Sequence, residues 1–189
     1  MDKTKRLAES AILIAIGTVL SFIKFESFWV KGGSITLAST LPLVLMSYRY
    51  GVKWGAFSAF VYSLIQALLG AQNFGYAPTF IVWVGILLFD YILPFTGIGM
   101  SSLFKNISSN KRISIIISIF ITYFFRFACH TFSGWIVWGS IYQNVGWEAF
   151  TFSFGYNGAY MLPEFIISAL VVAISYKSIE KYWQSCIVK

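Results

Sequence analysis

The positively charged residues of this chain fall almost entirely into every second gap between its apolar segments. The chain has 189 residues and 14 Lys and Arg. Eleven of these lie on one side of a membrane if the N-terminus is cytoplasmic: Lys3, Lys5, Arg6, Arg49, Lys53, Lys105, Lys111, Arg112, Lys177, Lys181 and Lys189. Lys24 and Lys31 lie in outer loops, and Arg126 lies within a span. Because cytoplasmic loops carry an excess of Lys and Arg, this pattern predicts an even number of spans with both termini cytoplasmic.

The chain is 58% hydrophobic and only 11% charged. Its apolar segments are too long for the core of so small a soluble domain. Six segments qualify as spans: Leu7–Ile23, Ile35–Tyr48, Trp54–Leu69, Phe80–Phe104, Ile113–Phe132 and Ala159–Tyr176. A full crossing needs about 20 apolar residues, so we expect the short second and third to be tilted, shielded by neighbours, or joined by a tight turn at Gly51. We predict an all-α integral membrane protein whose residues 1–189 form one six-helix transmembrane domain.

The net charge of +7 needs no nucleic acid partner, because the topology and the attraction to anionic lipid of the inner leaflet explain it. The chain contains no Walker A sequence, so uphill transport would need ATP hydrolysis in a partner or an ion gradient. Ala8, Ala11, Ala15 and Thr18 form a stripe of small side chains on the first helix. Two interpretations stay open for this stripe: packing within the bundle, or docking onto a separate membrane subunit.

Ionisable side chains inside a span are costly, and they usually mark a site or a pathway. The predicted spans contain Asp90, Arg126, His130 and Glu164, and Asn157 lies near the outer mouth. We expect these five side chains to line one cavity that opens outward, although Arg126 and Glu164 could instead form a structural ion pair. The two acids against one Arg leave an unpaired negative charge if His130 is neutral. The predicted ligand is therefore a monovalent cation.

Aromatic residues are concentrated in the longest predicted connection, an outer loop from Ser133 to Tyr156. It carries Trp135, Trp138, Tyr142, Trp147, Phe150, Phe152, Phe154 and Tyr156. Most of these fit an interfacial aromatic belt. One or two of them, close to a negatively charged cavity, would bind a flat cation by stacking and cation–π contacts.

Five fragments, in order along nearly the whole chain, resemble the thiamine-specific S-components of energy-coupling factor (ECF) transporters. They are GGSITLASTLPLVLMSYRYG (Gly32–Gly51), FDYI (Phe89–Ile92), RFACHTFSG (Arg126–Gly134), Trp138 and YNGAYM (Tyr156–Met161). The resemblance implies a substrate-capture subunit of the prokaryotic plasma membrane with the six-helix S-component fold. It also implies that the chain works with a transmembrane coupling subunit and two cytoplasmic ATPase subunits, which fits the missing Walker A sequence.

The resemblance further implies site residues. The positions that contact thiamine in such proteins fall on Asp90, Tyr91, His130, Trp138 and Asn157. The small-residue motif that meets the coupling subunit falls on Ala11 and Ala15, which favours docking for the first-helix stripe. An aromatic residue of the first outer loop tends to cover the ligand, and Trp29 is the candidate here. No catalytic residue, metal or cofactor is expected.

The chain departs from the family pattern at Phe152, where a Tyr is expected to help hold the pyrimidine; Tyr156 or Tyr160 could substitute. This departure leaves room for a thiamine derivative or a pyrimidine precursor as the ligand. Two rival functions are a solitary secondary carrier coupled to a proton or sodium gradient, and an intramembrane metalloenzyme. The second is a poor match, since one His and no repeated His–acid spacing make a weak metal site.

Overall fold

The computed structural model describes residues 3–26 and 34–184, and most of these residues are helical. The helices are α1 (Lys3–Phe22), α2 (Leu41–Tyr50), α3 (Val52–Leu69), α4 (Phe80–Ile86), α5 (Leu93–Ile98), α6 (Lys111–Phe132), α7 (Gly139–Ile141), α8 (Trp147–Ser175) and α9 (Glu180–Trp183). Strands β1 (Lys24–Glu26) and β2 (Ser34–Thr36) pair antiparallel between α1 and α2. A first π-helical turn, Leu87–Ile92, joins α4 to α5, and a second, Ser133–Trp138, joins α6 to α7.

Four of the described helical stretches are long and apolar enough to cross a membrane: Val52–Leu69, Phe80–Ile98, Lys111–Ile141 and Trp147–Ser175. Large apolar side chains cover the outside of the bundle, as expected for a surface that faces lipid rather than water. Ile81 is 83% exposed and Ile174 is 80% exposed. The chain is therefore a helical, multi-pass membrane protein.

The second predicted span is shorter than the sequence indicated. Its helix, α2, begins only at Leu41, because Ile35 belongs to β2 and pairs with Phe25. The predicted tight turn at Gly51 is confirmed: its φ of 83° lies in the left-handed region that glycine adopts without strain. The Gly51 N–H donates to the carbonyl of Ser47 at 2.9 Å, so α2 ends and α3 starts within one residue.

The predicted long outer loop is wrong. Residues 133–141 continue α6 as the second π turn and α7, and α8 begins at Trp147, which leaves a connection of residues 142–146. Ser133, Gly134, Gly139 and Ser140 interrupt the apolar pattern after Phe132, where the predicted fifth span ends. A continued helix nevertheless satisfies the backbone N–H and C=O groups near the membrane, which a long loop would leave to other partners.

Small hydroxyl side chains connect the helices inside the bundle, where apolar packing alone provides little driving force in lipid. The Tyr48 hydroxyl lies 2.7 Å from Ser118 Oγ and joins α2 to α6. Ser47 Oγ donates to Ser102 Oγ at 2.9 Å. These buried contacts hold the ends of the helices that are distant from residues 133–157.

A buried ion pair joins α6 to α8. Arg126 Nη1 donates to Glu164 Oε2 at 2.9 Å, and the two side chains are 10% and 0% exposed. Glu164 Oε1 accepts from the hydroxyl of Thr36, which brings β2 to the same carboxylate. The pair therefore ties two long helices and the strand hairpin together, which is the structural role that the sequence left open.

Replacing Arg126 by Met should destabilise the protein by about 3–5 kcal/mol, because the Glu164 carboxylate would remain buried without its cation. The Arg126→Met/Glu164→Met double variant should recover most of this loss. Thermal unfolding in detergent, followed by circular dichroism, measures both. The structural role is contradicted if the single variant unfolds like the wild type, or if the double variant is no more stable than Arg126→Met.

Candidate ligand-binding site

A cavity of about 820 Å³ lies among α3, the first π turn, the end of α6, the second π turn and the start of α8. Five of the residues that the sequence predicted line it together: Asp90, Tyr91, His130, Trp138 and Asn157. The size is within the range of small-molecule pockets. The sixth predicted contact, Trp29, lies outside the described residues.

The two π turns carry Asp90, Tyr91 and Trp138. Pro94 helps to explain the first turn, because proline has no N–H to donate to the carbonyl of Asp90 four residues earlier. In the same turn the Leu93 N–H donates five residues back, to Leu88. Such turns inside α-helices are frequent at functional sites, because they reorient the side chains of one turn.

The facing π turns are joined by one hydrogen bond. Trp138 Nε1 donates to Asp90 Oδ2 at 2.8 Å, and His130 Nδ1 lies 3.5 Å from Asp90 Oδ1. Both oxygens of Asp90 thus have a partner, yet neither partner is a permanent cation. Among the described residues that line the cavity, Asp90 is the only carboxylate and none is Lys or Arg. With His130 neutral and Asp90 ionised, these described residues carry one negative charge.

Two of the polar side chains on the wall, those of Tyr91 and Asn157, direct hydrogens into the protein. The Tyr91 hydroxyl donates to the Gly70 carbonyl at 3.3 Å and accepts from Asn73 Nδ2 at 2.8 Å. Asn157 Nδ2 donates to the Ser153 carbonyl at 2.9 Å. Tyr91 and Asn157 therefore present mainly acceptor lone pairs to a ligand, which suits a cation that carries hydrogen-bond donors.

The expectation that Arg126 and Glu164 line the same cavity is wrong. Neither is among the described lining residues, since the two side chains bind each other. The predicted sixth span began at Ala159, whereas α8 begins at Trp147, twelve residues earlier along the chain. The earlier start changes which residues of this helix lie at the depth of the cavity.

Sequence reasoning missed several lining residues, among them Gln66, Asn73, Tyr76 and Asn144. Gln66 had a usable signal, since it is an amide within the apolar run of α3. Asn73 and Tyr76 lie on a 3₁₀ turn, Ala71–Tyr76, that no pattern indicated.

Only part of the aromatic segment faces the cavity. The lining aromatics of residues 133–156 are Trp138, Tyr142, Phe152 and Tyr156. Trp138 and Tyr142 are stacked, with ring centroids 6.4 Å apart and planes at 24°. Phe152, at the position where the family pattern has Tyr, is 73% exposed. Its surroundings therefore differ from those of the buried polar wall at Asn157.

The three alanines of the small-residue stripe of α1 face away from the bundle, and its fourth member, Thr18, is half-buried. Ala8, Ala11 and Ala15 are exposed, while the buried positions of α1 are Ser10, Gly17 and Ser21. Packing within the bundle thus uses a different face of the helix. The exposed alanines leave a shallow surface on which another helix could approach closely.

The comparisons with known proteins agree over nearly the whole chain. The profile of a family described as thiamine transporter protein (Thia_YuaJ) matches residues 7–184. Thiamine transporter ThiT of Bacillus subtilis (strain 168) is 31% identical over 191 residues, which cover 95% of this chain and 94% of that protein.

Two solved structures share the fold. ThiT from Listeria monocytogenes superposes with a TM-score of 0.73 at 26% identity, covering 96% of this chain and 98% of that one. An S component of a bacterial ECF transporter superposes with a TM-score of 0.65 and the same coverages; at 17% identity it shows the fold alone. With a profile match over residues 7–184 and a relative above 30% identity, the chain belongs to the thiamine transporter protein family, a family of membrane transporters and not of enzymes.

Proposed function

We propose that this chain is the thiamine-binding S component of an ECF transporter, and that it mediates thiamine uptake together with an energy-coupling module. The observation that carries the proposal is the cavity in which Asp90 lies between His130 and Trp138, with no Lys or Arg among the described residues that line it. The family membership and the S-component fold support it.

Thiamine fits the chemistry of this cavity. Its thiazolium ring supplies the positive charge that balances Asp90, and its flat rings can stack on Trp138 with cation–π attraction. We assign substrate contacts to Asp90, Tyr91, His130, Trp138 and Asn157. Trp29 remains a candidate cover of the ligand, on the resemblance alone.

The charge of the cavity favours thiamine over the two derivatives considered above. A thiamine phosphate would bring a dianionic group close to Asp90, in a cavity whose described lining residues include no Lys or Arg to balance it. A neutral pyrimidine precursor would leave the Asp90 charge without a balancing cation.

We further propose six transmembrane helices in one domain over residues 1–189, with both termini cytoplasmic. In this topology α1 and the short α2 are two further transmembrane helices, in addition to the four long spans. The basic residues support the orientation, because they cluster at the helix ends distant from the cavity. Arg49 and Lys53 flank the α2–α3 turn, and Lys111 and Arg112 start α6.

Energy coupling would come from partners. The exposed alanines at positions 11 and 15 of α1 support docking of a transmembrane coupling subunit there. Two cytoplasmic ATPases would complete the assembly and supply the ATP hydrolysis for which this chain has no Walker A sequence. A solitary carrier would instead take up thiamine without such partners.

Thiamine should quench the Trp fluorescence of the purified, ligand-stripped protein saturably, with a Kd on the order of micromolar or below. Asp90→Asn keeps the shape of the side chain but removes its charge, so it should weaken binding by about tenfold or more, or about 1.4 kcal/mol. Glu180→Gln, which removes an exposed carboxylate on α9, is the matched control and should bind as the wild type does. No response to thiamine, together with saturable binding of another vitamin, would overturn the substrate and leave the family intact.

Bulky side chains on the exposed stripe should separate binding from uptake. Ala11→Trp/Ala15→Trp should bind thiamine with unchanged affinity by calorimetry, because α1 presents this face to the outside. Thiamine uptake by cells that also make the coupling module should fall about tenfold or more, because the partner helix could no longer approach closely.

The matched control is Leu170→Trp, which places the same side chain on an exposed position of α8 and should leave uptake unchanged. Undiminished uptake by the Ala11→Trp/Ala15→Trp variant would contradict docking on this stripe. Uptake in cells that lack the coupling module would favour the solitary carrier.

A further inference from the structure

Ser153, one turn before Asn157 on α8, and Tyr160, one turn after it, orient the Asn157 carboxamide together. Asn157 Nδ2 lies 2.9 Å from the Ser153 carbonyl oxygen and 3.2 Å from Ser153 Oγ. A backbone carbonyl can only accept a hydrogen bond, so the nitrogen of the carboxamide, and not its oxygen, must face Ser153. The amide nitrogen thus makes two hydrogen bonds within the protein, both to Ser153.

Tyr160 completes this arrangement from the other side. Its hydroxyl lies 2.7 Å from Asn157 Oδ1, and the hydroxyl must be the donor because Oδ1 carries no hydrogen. Ser153 Oγ in turn donates to the Thr131 carbonyl at 2.9 Å. Asn157 and Tyr160 are buried, at 4% and 8% exposure, and both line the cavity. What this wall still offers a ligand is lone pairs, on Asn157 Oδ1 and on the Tyr160 oxygen.

We propose that Tyr160 is a positioning residue that holds Asn157 as a hydrogen-bond acceptor, so that this wall selects ligands that present an N–H group. The inference rests on the proposed function, in which the ligand is thiamine and the amino group of its pyrimidine supplies the N–H. A ligand that carries an acceptor in place of this N–H would bring its own oxygen against Asn157 Oδ1 in a buried site. Neither acceptor would then receive a hydrogen bond from the other.

Two other groups of the cavity strengthen the same selection. The indole N–H of Trp138 is directed to Asp90, and the Tyr91 hydroxyl is directed to the Gly70 carbonyl. A ligand acceptor that fails to pair with Asn157 therefore has no ready donor at either of these side chains. This is why we expect discrimination by one functional group rather than general weakening.

The test compares two ligands, thiamine and oxythiamine, in which a carbonyl oxygen replaces the amino group of the pyrimidine. Calorimetry should show that the wild type prefers thiamine by about tenfold or more, as sites built around a specific hydrogen bond do. Tyr160→Phe removes the donor that holds Asn157, so the preference should fall to about threefold or less.

Tyr48→Phe is the matched control. Like Tyr160, Tyr48 is 8% exposed, and its hydroxyl makes a 2.7 Å hydrogen bond, in this case with Ser118. Unlike Tyr160, Tyr48 does not line the cavity. This variant should lose comparable thermal stability and keep the wild-type preference. Ser153→Ala is a second test variant, usable even if Tyr160→Phe does not fold. It frees one amide hydrogen of Asn157 and should improve oxythiamine binding relative to thiamine.

Each outcome decides one proposal. If the wild type binds thiamine but binds oxythiamine equally well, or if Tyr160→Phe and Ser153→Ala keep the wild-type preference, the positioning role is overturned and the proposed function stands. If Tyr160→Phe weakens both ligands by the same factor, the residue is structural only. If the wild type does not bind thiamine at all, the proposed function itself fails.

Discussion

Every charge inside the bundle needs a partner, and two acids of the described helices, Glu164 and Asp90, meet that requirement in different ways. Glu164 is satisfied within the protein, by Arg126 and by the hydroxyl of Thr36. Among the described residues, Asp90 has the indole N–H of Trp138 and the nearby imidazole of His130 as partners, and neither is a permanent cation. The first acid holds the structure together. The second stays available for a cation, and the proposed function depends on that difference.

Much of this arrangement could be predicted before the structure. The placement of Lys and Arg indicated the membrane class, and the cost of ionisable groups in a span singled out Asp90 and His130. Tyr91 carried no such physical signal, because a tyrosine next to an acid is common in membrane proteins, and only the resemblance to a family pointed to it. Trp138 was one of eight aromatic residues expected near the cavity, and the resemblance singled it out among them.

The remaining features depend on tertiary structure that no local pattern encodes. The stretch from Ser133 to Tyr156 resembles a loop in composition, yet its helices bring Trp138 and Ser153 to the cavity. The direction of the Asn157 amide depends on the backbone carbonyl of Ser153 and on the hydroxyl of Tyr160. No sequence pattern predicts these two contacts. Spacing along one helix likewise could not show that Arg126 would meet Glu164 rather than the cavity.

The central claim is that the Asp90 carboxylate binds the positive charge of thiamine. The most direct test is calorimetry of thiamine and of its neutral isostere, with thiophene in place of the thiazolium ring, on the wild type and on Asp90→Asn. The wild type should bind thiamine about tenfold or more tightly than the isostere, and Asp90→Asn should reduce this ratio to about twofold or less. A ratio that stays the same in Asp90→Asn would show that the charge of the ligand is bound elsewhere, and it would contradict the account.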